Sequence, residues 1–413
     1  MSNLFTQQES EHIYLVSRGA KGEIRCFELW YEQVDDYFVI HRESCQYKGK
    51  VTQQPDIEIY EGKVNRDCEA QCILQFEHLI REKLDKGYKQ LEKSFNEYSL
   101  SELKEILPEV NTDNNGFKKH MLAKSSDKVK QSVIDKEKYW YCSRKIDGVR
   151  ASLYWDGKKI KSASRGGKDY NSALYHFIDH PKLIEFFTRH PDCILDGELY
   201  KHGKSLQQIS GAARLEKNVY DCDWLEYYIY DVMYPKLPFE KRLKVLNQIS
   251  KELNLGFNPY KEWKDDDLKI QMVPQEKVSG YDNIMNLHNK YVEEGFEGVV
   301  IRNPNKEYGF GKRTNDMIKI KKYKDSEFLV TDYELGLRGS EDMVFICETP
   351  NGNIFKAKPL GDRETKEEYV ENFNSKYKNK FATIKYFYYS NGGDEETGVP
   401  LQPALIKFRP IDE

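Results

Sequence analysis

The chain has 413 residues, a length that predicts about two to four domains. Its hydrophobic (39%) and aromatic (13%) fractions are sufficient for packed cores, which excludes a disordered chain. Its formal charge of −4 argues against polyanion binding over the whole surface, although residues 118–168 carry fifteen Lys and Arg against five Asp and Glu. There is no membrane-length apolar run, no signal-peptide pattern at the N-terminus and no CxxC pair among the eight cysteines. We therefore expect an intracellular, cytoplasmic protein with reduced thiols.

Residues 10–60 predict a small sheet, because short apolar segments alternate there with Gly-rich or acidic turns. A helix capped by Asn65 or Asp67 and ended by Gly87 should follow. The predicted apolar positions of this helix are Ile73, Phe76, Ile80 and Leu84. We place a first α+β domain over 1–100.

The composition then divides the rest of the chain into three segments. The turn-rich stretch LPEVNTDNNG predicts a linker over 101–118. Residues 119–324 mix strands and helices and predict an α+β domain with mostly antiparallel strands. Its helices are expected at 174–189, 238–254 and 281–294. Residues 325–413 return to short strands with a hairpin turn at Asn351-Gly352, and predict a small five-stranded barrel.

The segment KIDGVR at 145–150 allows two interpretations. It is typical of a β-hairpin with an Asp-Gly turn and a surface lysine. It also suits a nucleophilic Lys145, since nearby cations and burial lower the pKa of an amine until its neutral, attacking form is populated. The matching electrophile would tolerate cationic surroundings, as the α-phosphate of a nucleotide does.

Two acidic motifs are equally ambiguous when each is taken alone. LDGEL at 195–199 fits an exposed tight turn, or a Glu198 that binds a ribose hydroxyl or a metal-bound water. EGVVIR at 297–302 fits a helix-to-strand connection with a solvated glutamate. Alternatively, Glu297 is a Mg²⁺ ligand that bridges to phosphate, because Mg²⁺ prefers carboxylate oxygens.

A lysine-rich strand and an aromatic strand complete the set. Strand alternation puts Lys319 and Lys321 on one face, either of an amphipathic edge strand or beside a bound anion. Tyr230, in YIYD at 228–231, either fills the core or stacks on a purine. Together the motifs supply what is needed to bind a nucleoside triphosphate and cleave it at its α-phosphate.

In this order, KIDGVR, LDGELY, YYIYD, EGVVIR and IKIKK resemble the motifs of the covalent nucleotidyltransferases, and more narrowly those of small phage or viral ATP-dependent DNA ligases. The resemblance covers about 119–413. It implies an antiparallel-sheet nucleotidyltransferase (adenylation) domain over 119–324, followed by an OB-fold β-barrel over 325–413. It also implies sealing of 5′-phosphate/3′-hydroxyl nicks in duplex DNA through a lysyl-AMP and a DNA-adenylate.

The same resemblance implies a role for each motif residue. Lys145 would carry AMP and Glu297 would position the metal. The residues around the nucleotide would be Ser143 at the adenine edge, Arg150 at the ribose or phosphates, Glu198 at the ribose, Tyr230 on adenine, and Lys319 and Lys321 at the α-phosphate. The DNA contacts would be Arg165 on the 5′-phosphate of the nick, Arg313 and Arg409. The implied cofactors are ATP and Mg²⁺, for which Mn²⁺ can substitute, and the expected partner is nicked duplex DNA, bound by a monomer away from membranes.

Two parts of the chain depart from their families. The last ligase motif ends in a basic residue followed by Asp and Lys, whereas this chain has Glu413 in place of the final Lys and one extra residue after Arg409. Residues 1–100 resemble a WGR-type domain, a module associated with nucleic acids, but HRES at 41–44 replaces the Trp-Gly-Arg signature. A packing or protein-docking role explains this domain as well as DNA contact does.

Two other functions stay open at this point. An RNA ligase or a GTP-using capping guanylyltransferase would share these motifs, although GVPLQP at 398–403 looks more like a DNA ligase. A nick-binding protein that has lost catalysis would keep the fold, but the intact Lys145 and Glu297 argue against it.

Overall fold

The computed structural model of the chain describes residues 10–408, apart from Ala20, 114–115, Asn218, 337–338, 387–388 and 391–397. Within these ranges the strands form four sheets, one of which closes into a barrel. Arg409 lies outside the described residues. No helix in the described part of the chain is both long enough and apolar enough to cross a bilayer.

The N-terminal sheet is antiparallel, with strand order β4-β3-β2-β1-β5. Its strands are β1 (Ile13–Arg18), β2 (Ile24–Val34), β3 (Tyr37–Gln46), β4 (Thr52–Ile59) and β5 (Lys89–Leu91). Helix α1 (Cys68–Asp85) covers one face, and its cap is Asp67, whose side chain accepts a hydrogen bond from Ala70 N. The buried positions of α1 are Cys72, Phe76 and Leu79. The predicted apolar face was therefore wrong at Ile73 and Leu84, because Cys72 supplies the apolar contact in the first turn and rotates the stripe by one residue.

The opposite face of this sheet is covered by a helix that the sequence did not predict. Helix α2 (Leu100–Ile106) occupies the beginning of the predicted linker. It starts with a capping box, in which Ser99 Oγ accepts from Glu102 N and the Glu102 carboxylate accepts from Ser99 N. Leu103 is completely buried in the same cluster as Val16, so this part of the segment is packed structure.

The central part of the chain contains two five-stranded sheets, with orders β12-β11-β10-β8-β9 and β13-β7-β14-β15-β6. Their strands are β6 (Leu122–Ser125), β7 (Trp140–Lys145), β8 (Val149–Trp155), β9 (Ile160–Ser164), β10 (Ile194–Tyr200), β11 (Glu226–Val232), β12 (Ile270–Met272), β13 (Glu276–Val278), β14 (Gly298–Arg302) and β15 (Arg313–Lys321). All pairs are antiparallel except β11 with β12 and β15 with β6. This pattern confirms the predicted α+β class.

Six helices accompany these two sheets. They are α3 (Gln131–Asp135), α4 (Tyr175–Ile178), α5 (Pro181–Arg189), α6 (Leu206–Ala213), α7 (Phe239–Glu252) and α8 (Tyr281–Glu293). Pro181 begins α5, where its missing N–H costs nothing. One hydrophobic cluster takes residues from both sheets, including Trp140, Leu195, Ile301 and Ile318.

The C-terminal part forms a closed barrel with strand order β16-β17-β18-β20-β19, which confirms the predicted five strands. The strands are β16 (Lys324–Gly336), β17 (Gly339–Glu348), β18 (Ile354–Pro359), β19 (Lys380–Tyr386) and β20 (Ala404–Phe408). Helix α9 (Arg363–Glu371) follows β18. The Asn351-Gly352 turn connects β17 and β18 as predicted. All eight cysteines of the chain are free thiols, in agreement with the sequence.

Candidate active site

Strands β7, β14 and β15 place the candidate residues on one face of their sheet. Residues that pair directly across neighbouring strands lie on the same face, and so do residues two positions apart on one strand. The register gives two such rows, Lys145–Gly298–Lys321 and Ser143–Val300–Lys319. Four predicted site residues therefore converge although they are far apart in the sequence.

Glu297 connects the two lysines of the first row. Its carboxylate contacts Lys145 Nζ through one oxygen and Lys321 Nζ through the other, and its side chain is buried. The next residue, Gly298, has φ +139, and a Cβ at this position would lie 2.2 Å from the carbonyl oxygen of Ile320. Only glycine fits between the two strands here, which leaves the row free of a side chain and lets Glu297 reach both lysines.

The charge state of Lys145 differs from the sequence-based prediction. Burial favours a lower pKa for this amine, but the carboxylates of Glu297 and Glu198 outweigh burial and raise it. Burial likewise opposes ionisation of Glu297, and the two lysines overcome it and lower the pKa of the carboxyl. The expected lowering of the Lys145 pKa was therefore wrong for the protein alone, because the sequence did not show that Glu297 touches the amine.

Lys319 is the contrasting cation on the same face. Burial, together with Lys321 and Lys145, lowers the pKa of Lys319 to about 8. Among the described residues, no carboxylate lies within ion-pair distance of its amine. An anion in the cleft would relieve this repulsion, which is the electrostatic condition for a phosphate site.

The second central sheet contributes an acid and an aromatic ring. The pairing of β10 with β11 is shifted between Asp196 and Gly197, which leaves Tyr230 as the extra residue of a β-bulge. Tyr230 lines the cleft, and its hydroxyl donates to Glu198 Oε2 at 3.2 Å. Burial raises the pKa of Glu198 to about 7, against the opposing effect of Lys145. Tyr230 therefore packs against the hydrophobic core and also lines the cleft.

Arg150 is held mainly by the protein itself. Its guanidinium donates to both carboxylate oxygens of Asp196, at 2.9 and 2.6 Å, to the Met121 carbonyl at 2.6 Å and to the Tyr308 hydroxyl at 3.2 Å. These bonds use four of the five N–H donors of an arginine. One donor is left for a ligand, so the geometry limits the predicted contact with ribose or phosphate to a single hydrogen bond.

A cleft opens between these elements and is strongly basic. Among its described lining residues, seven are Lys or Arg and one is Glu. Ser143, Lys145, Arg150, Glu198, Tyr230 and Lys319 all line it, together with Arg165 and Arg313. Glu297 lies next to this lining through its contact with Lys145, and Lys321 through its contact with Glu297. The structure thus brings together every predicted site residue that it describes.

Two alternative interpretations of the motifs are excluded by the pairing of the strands. The segment at 145–150 is not a hairpin, because β7 and β8 lie in different sheets. The strand that carries Lys319 and Lys321 is not an edge strand, because β15 lies between β14 and β6. Both lysine motifs therefore face a shared cleft instead of solvent.

Sequence reasoning missed three buried polar residues: Arg302, which lines the cleft, and Asp231 and Tyr308, which lie next to cleft-lining arginines. Arg302 donates to Ser143 Oγ at 3.1 Å, and its Nε is buried without a hydrogen-bond partner. Asp231 binds Arg242 and lies 3.7 Å from Arg302. Tyr308 donates to Asp196 at 2.6 Å. Arg302 and Asp231 are the last residues of the motifs EGVVIR and YIYD. A charged residue at the end of an apolar strand could have indicated a buried, paired charge.

The side chains also indicate how a metal would be bound. Among the described residues, no three His, Cys, Asp or Glu side chains are grouped as metal ligands. Mg²⁺ commonly uses one or two carboxylates and completes its shell with water and substrate phosphates. Glu297 fits this mode, because its buried carboxylate lies in a cleft that suits a triphosphate.

Comparisons with known proteins agree with this geometry. Residues 120–321 match the family model described as ATP dependent DNA ligase domain. The DNA ligase of African swine fever virus (isolate Pig/Kenya/KEN-50/1950) is 28% identical over 320 residues, which cover 72% of this chain and 70% of that protein. Residues 120–321, just under half of the chain, are therefore similar to the ATP-dependent DNA ligase domain.

More distant DNA ligases resemble parts of this chain. The DNA ligase of Archaeoglobus fulgidus is 27% identical over 191 residues, which cover 43% of this chain and 31% of the relative. In three dimensions, a Lig E DNA ligase superposes with a TM-score of 0.51 at 18% identity, covering 70% of this chain and 99% of that chain. This structural likeness confirms the ligase fold predicted from the motifs.

Proposed function

We propose that this ligase seals nicks between a 5′-phosphate and a 3′-hydroxyl in duplex DNA, by transferring AMP first to Lys145 and then to the DNA. The observation that carries the proposal is that Lys145 and Lys321, in one row, both contact the Glu297 carboxylate beside a basic cleft. In the first step the Lys145 amine attacks the α-phosphorus of ATP. A nitrogen–phosphorus bond forms, the bond to the bridging oxygen breaks, and pyrophosphate leaves.

The attacking amine must first lose the proton that Glu297 stabilises. Mg²⁺, held by Glu297 and the phosphate oxygens, would supply charge neutralisation and would compete with Lys145 for the carboxylate. With Glu297 engaged elsewhere, Lys145 loses the largest of the contributions that raise its pKa, and its burial favours the neutral amine. The ion pair therefore keeps the nucleophile protonated until the cofactors are bound.

Other cleft residues position the nucleotide. Tyr230 offers its ring face to adenine, Ser143 lies at the edge of the same space, and Glu198 is placed for the ribose. Lys319, which has no carboxylate within ion-pair distance among the described residues, would hold the α-phosphate together with Lys321. Holding the reacting groups in place and neutralising charge are the main contributions in phosphoryl transfer.

In the second step the 5′-phosphate of the nick attacks the lysyl-AMP, which frees the Lys145 amine and forms a pyrophosphate bond to DNA. In the third step the 3′-hydroxyl attacks the DNA phosphate, a phosphodiester forms and AMP leaves. Arg165 and Arg313 are the proposed phosphate contacts. Binding through phosphates should weaken with salt and show little base preference.

Residues 1–100 are proposed to be a WGR-like module with a docking role. A five-stranded sheet with a helix on one face supports this assignment. The module carries eighteen Asp and Glu against thirteen Lys and Arg, a formal charge of −5. This charge favours packing against protein over broad contact with DNA phosphates.

The test is incubation with ATP labelled at its α-phosphate and Mg²⁺, followed by addition of nicked duplex DNA. We expect label on the protein, then on the 5′ end of the nick, and finally free AMP as the strands join. In parallel reactions, nicked duplex RNA replaces the DNA and labelled GTP replaces the ATP. Label from GTP alone, or joining of RNA alone, would favour the related enzymes, and no protein label from ATP would contradict the proposal.

A further inference from the structure

The segment that connects the N-terminal module with the ligase domain is held by hydrogen bonds among its described residues. Asp113 N donates to the Phe117 carbonyl at 2.8 Å, and Phe117 N donates to Asp113 Oδ1 at 2.9 Å. Lys119 N donates to the Asn111 carbonyl at 2.7 Å. Thr112 and Asp113 are buried, with 5% and 9% of their surfaces exposed. A linker without a structural role would not bury its polar residues.

Asp113 packs against the turn that carries Arg165. This turn runs from Ser164 to Lys168, with Ser164 N donating to the Lys168 carbonyl at 2.6 Å and Gly167 N donating to the Ser164 carbonyl at 3.0 Å. Gly167 has φ +86, and a Cβ on it would lie 2.2 Å from Asp113 Oδ2. The two segments are therefore in direct contact at a position where only glycine fits.

The same turn is contacted from a second side by the N-terminal module. Lys168 Nζ lies 2.8 Å from Asp85 Oδ1, at the end of α1. Both groups are largely exposed, so this ion pair adds little stability. It nevertheless places the turn between two aspartates that precede the ligase domain in sequence, one buried and one exposed.

Arg165 itself has few contacts that fix its position. Among the described residues its charged neighbours are other cations, Arg313 and Arg150, and burial together with these charges lowers its pKa. Its side chain borders both the cleft and a neighbouring groove that Asp85 and Lys168 also line. The direction of Arg165 is therefore set by the backbone of its turn, which Asp113 supports.

We infer that Asp113 is a positioning residue for the 5′-phosphate of the nick, because it fixes the turn from which Arg165 reaches that phosphate. This inference rests on the proposed function, in which Arg165 binds the 5′-phosphate. It assigns to the segment between the two domains a role in the second chemical step and none in the first. Self-adenylation should therefore be independent of Asp113.

The experiment compares the affinity of the AMP-loaded ligase for nicks with a 5′-phosphate and for nicks with a 5′-hydroxyl. The ratio of the two dissociation constants measures recognition of the phosphate alone. The variants are Asp113→Ala, the conservative Asp113→Asn, which keeps the acceptor for Phe117 N, and Arg165→Ala. The matched control is Asp156→Ala, since Asp156 also caps a turn through Lys158 N and Lys159 N, at the far end of the β8–β9 hairpin.

We expect Asp113→Ala to reduce the phosphate preference about tenfold, a typical coupling between residues in contact. Asp113→Asn and Asp156→Ala should keep the wild-type preference, and the variants at Asp113 and Asp156 should still form lysyl-AMP. If Asp113→Ala lowers the melting temperature, Gly167→Ala serves as the second variant, because its added methyl group presses on Asp113 and should also reduce the preference. A wild-type preference in both Asp113→Ala and Gly167→Ala would overturn the inference.

Arg165→Ala separates this inference from the proposed function. It should remove the preference for the 5′-phosphate. If it keeps the preference, both the role of Arg165 and that of Asp113 are wrong, while transfer of AMP to DNA by the wild-type protein would still support nick sealing. If no AMP reaches DNA, the proposed function itself fails.

Discussion

Two lysines of strand β15, Lys319 and Lys321, have opposite environments. Lys321 shares the Glu297 carboxylate with Lys145, whereas Lys319 has cations as its nearest charged neighbours. In the first arrangement one carboxylate partly compensates two ammonium groups and holds the nucleophile protonated. The second is incomplete without an anion. Strand β15 therefore carries Lys321, which shares a carboxylate with the catalytic Lys145, and Lys319, which is available to bind a phosphate.

The largest effect is expected from Lys145→Ala, which removes one of the two lysines that are paired with Glu297. The variant should form no AMP adduct while it keeps the fold, because the side chain points into an open cleft and leaves no large cavity. Labelling with α-phosphate-labelled ATP measures the adduct, and Lys158→Ala in the exposed β8–β9 turn is the control. If Lys145→Ala still forms an AMP adduct, Lys145 is not the nucleophile and does not differ in role from the phosphate ligand Lys319.

Glu297→Gln should separate the two functions of that carboxylate. Formation of lysyl-AMP should fall by about 10²–10³-fold, the typical loss when a charged group in an active site is neutralised. At the same time the pKa of Lys145 should fall, since the carboxylate that raises it most is gone. Lys145 should then react faster with an amine-modifying reagent at pH 7, and mass spectrometry of the peptides measures the extent of its modification. Unchanged reactivity would contradict the contact between Glu297 and Lys145.

Lys321→Ala and Lys319→Ala should differ in kind. Loss of Lys321 should slow AMP transfer about 10²-fold and leave Glu297 with one lysine. Loss of Lys319 should mainly raise the KM for ATP, because it removes a phosphate ligand without disturbing an ion pair. Steady-state kinetics of both variants make the comparison. Identical changes in kcat and KM would show that the two lysines act alike.

The smallest effect concerns pH. With a pKa of about 8, Lys319 is charged below this pH and loses its charge as the pH rises through it. The affinity for ATP should therefore decline above pH 8. Lys319→Arg keeps the charge at all these pH values and should give a flat profile. A decline that persists in Lys319→Arg would assign the titration to another group.

The motif residues could be predicted from the sequence because strand alternation and motif order define which side chains share a face. Their contacts could not. Glu297 touches Lys145 only because β14 pairs between β7 and β15, and such pairing between distant segments leaves no local signal. The exposure of Tyr230 depends on a bulge in the pairing of β10 with β11. Helix α2 was missed because its capping box precedes only two turns, which is a weak periodic signal.

The most direct test of the central claim is to identify the residue that carries AMP. The wild-type protein is incubated with ATP and Mg²⁺, digested, and its peptides are examined by mass spectrometry. We predict that the mass of AMP is found on Lys145 alone and disappears when nicked DNA is added. An adduct on Lys319, Lys321 or any other residue, or no adduct on protein first freed of bound AMP, would contradict the assignment of Lys145 as the nucleophile.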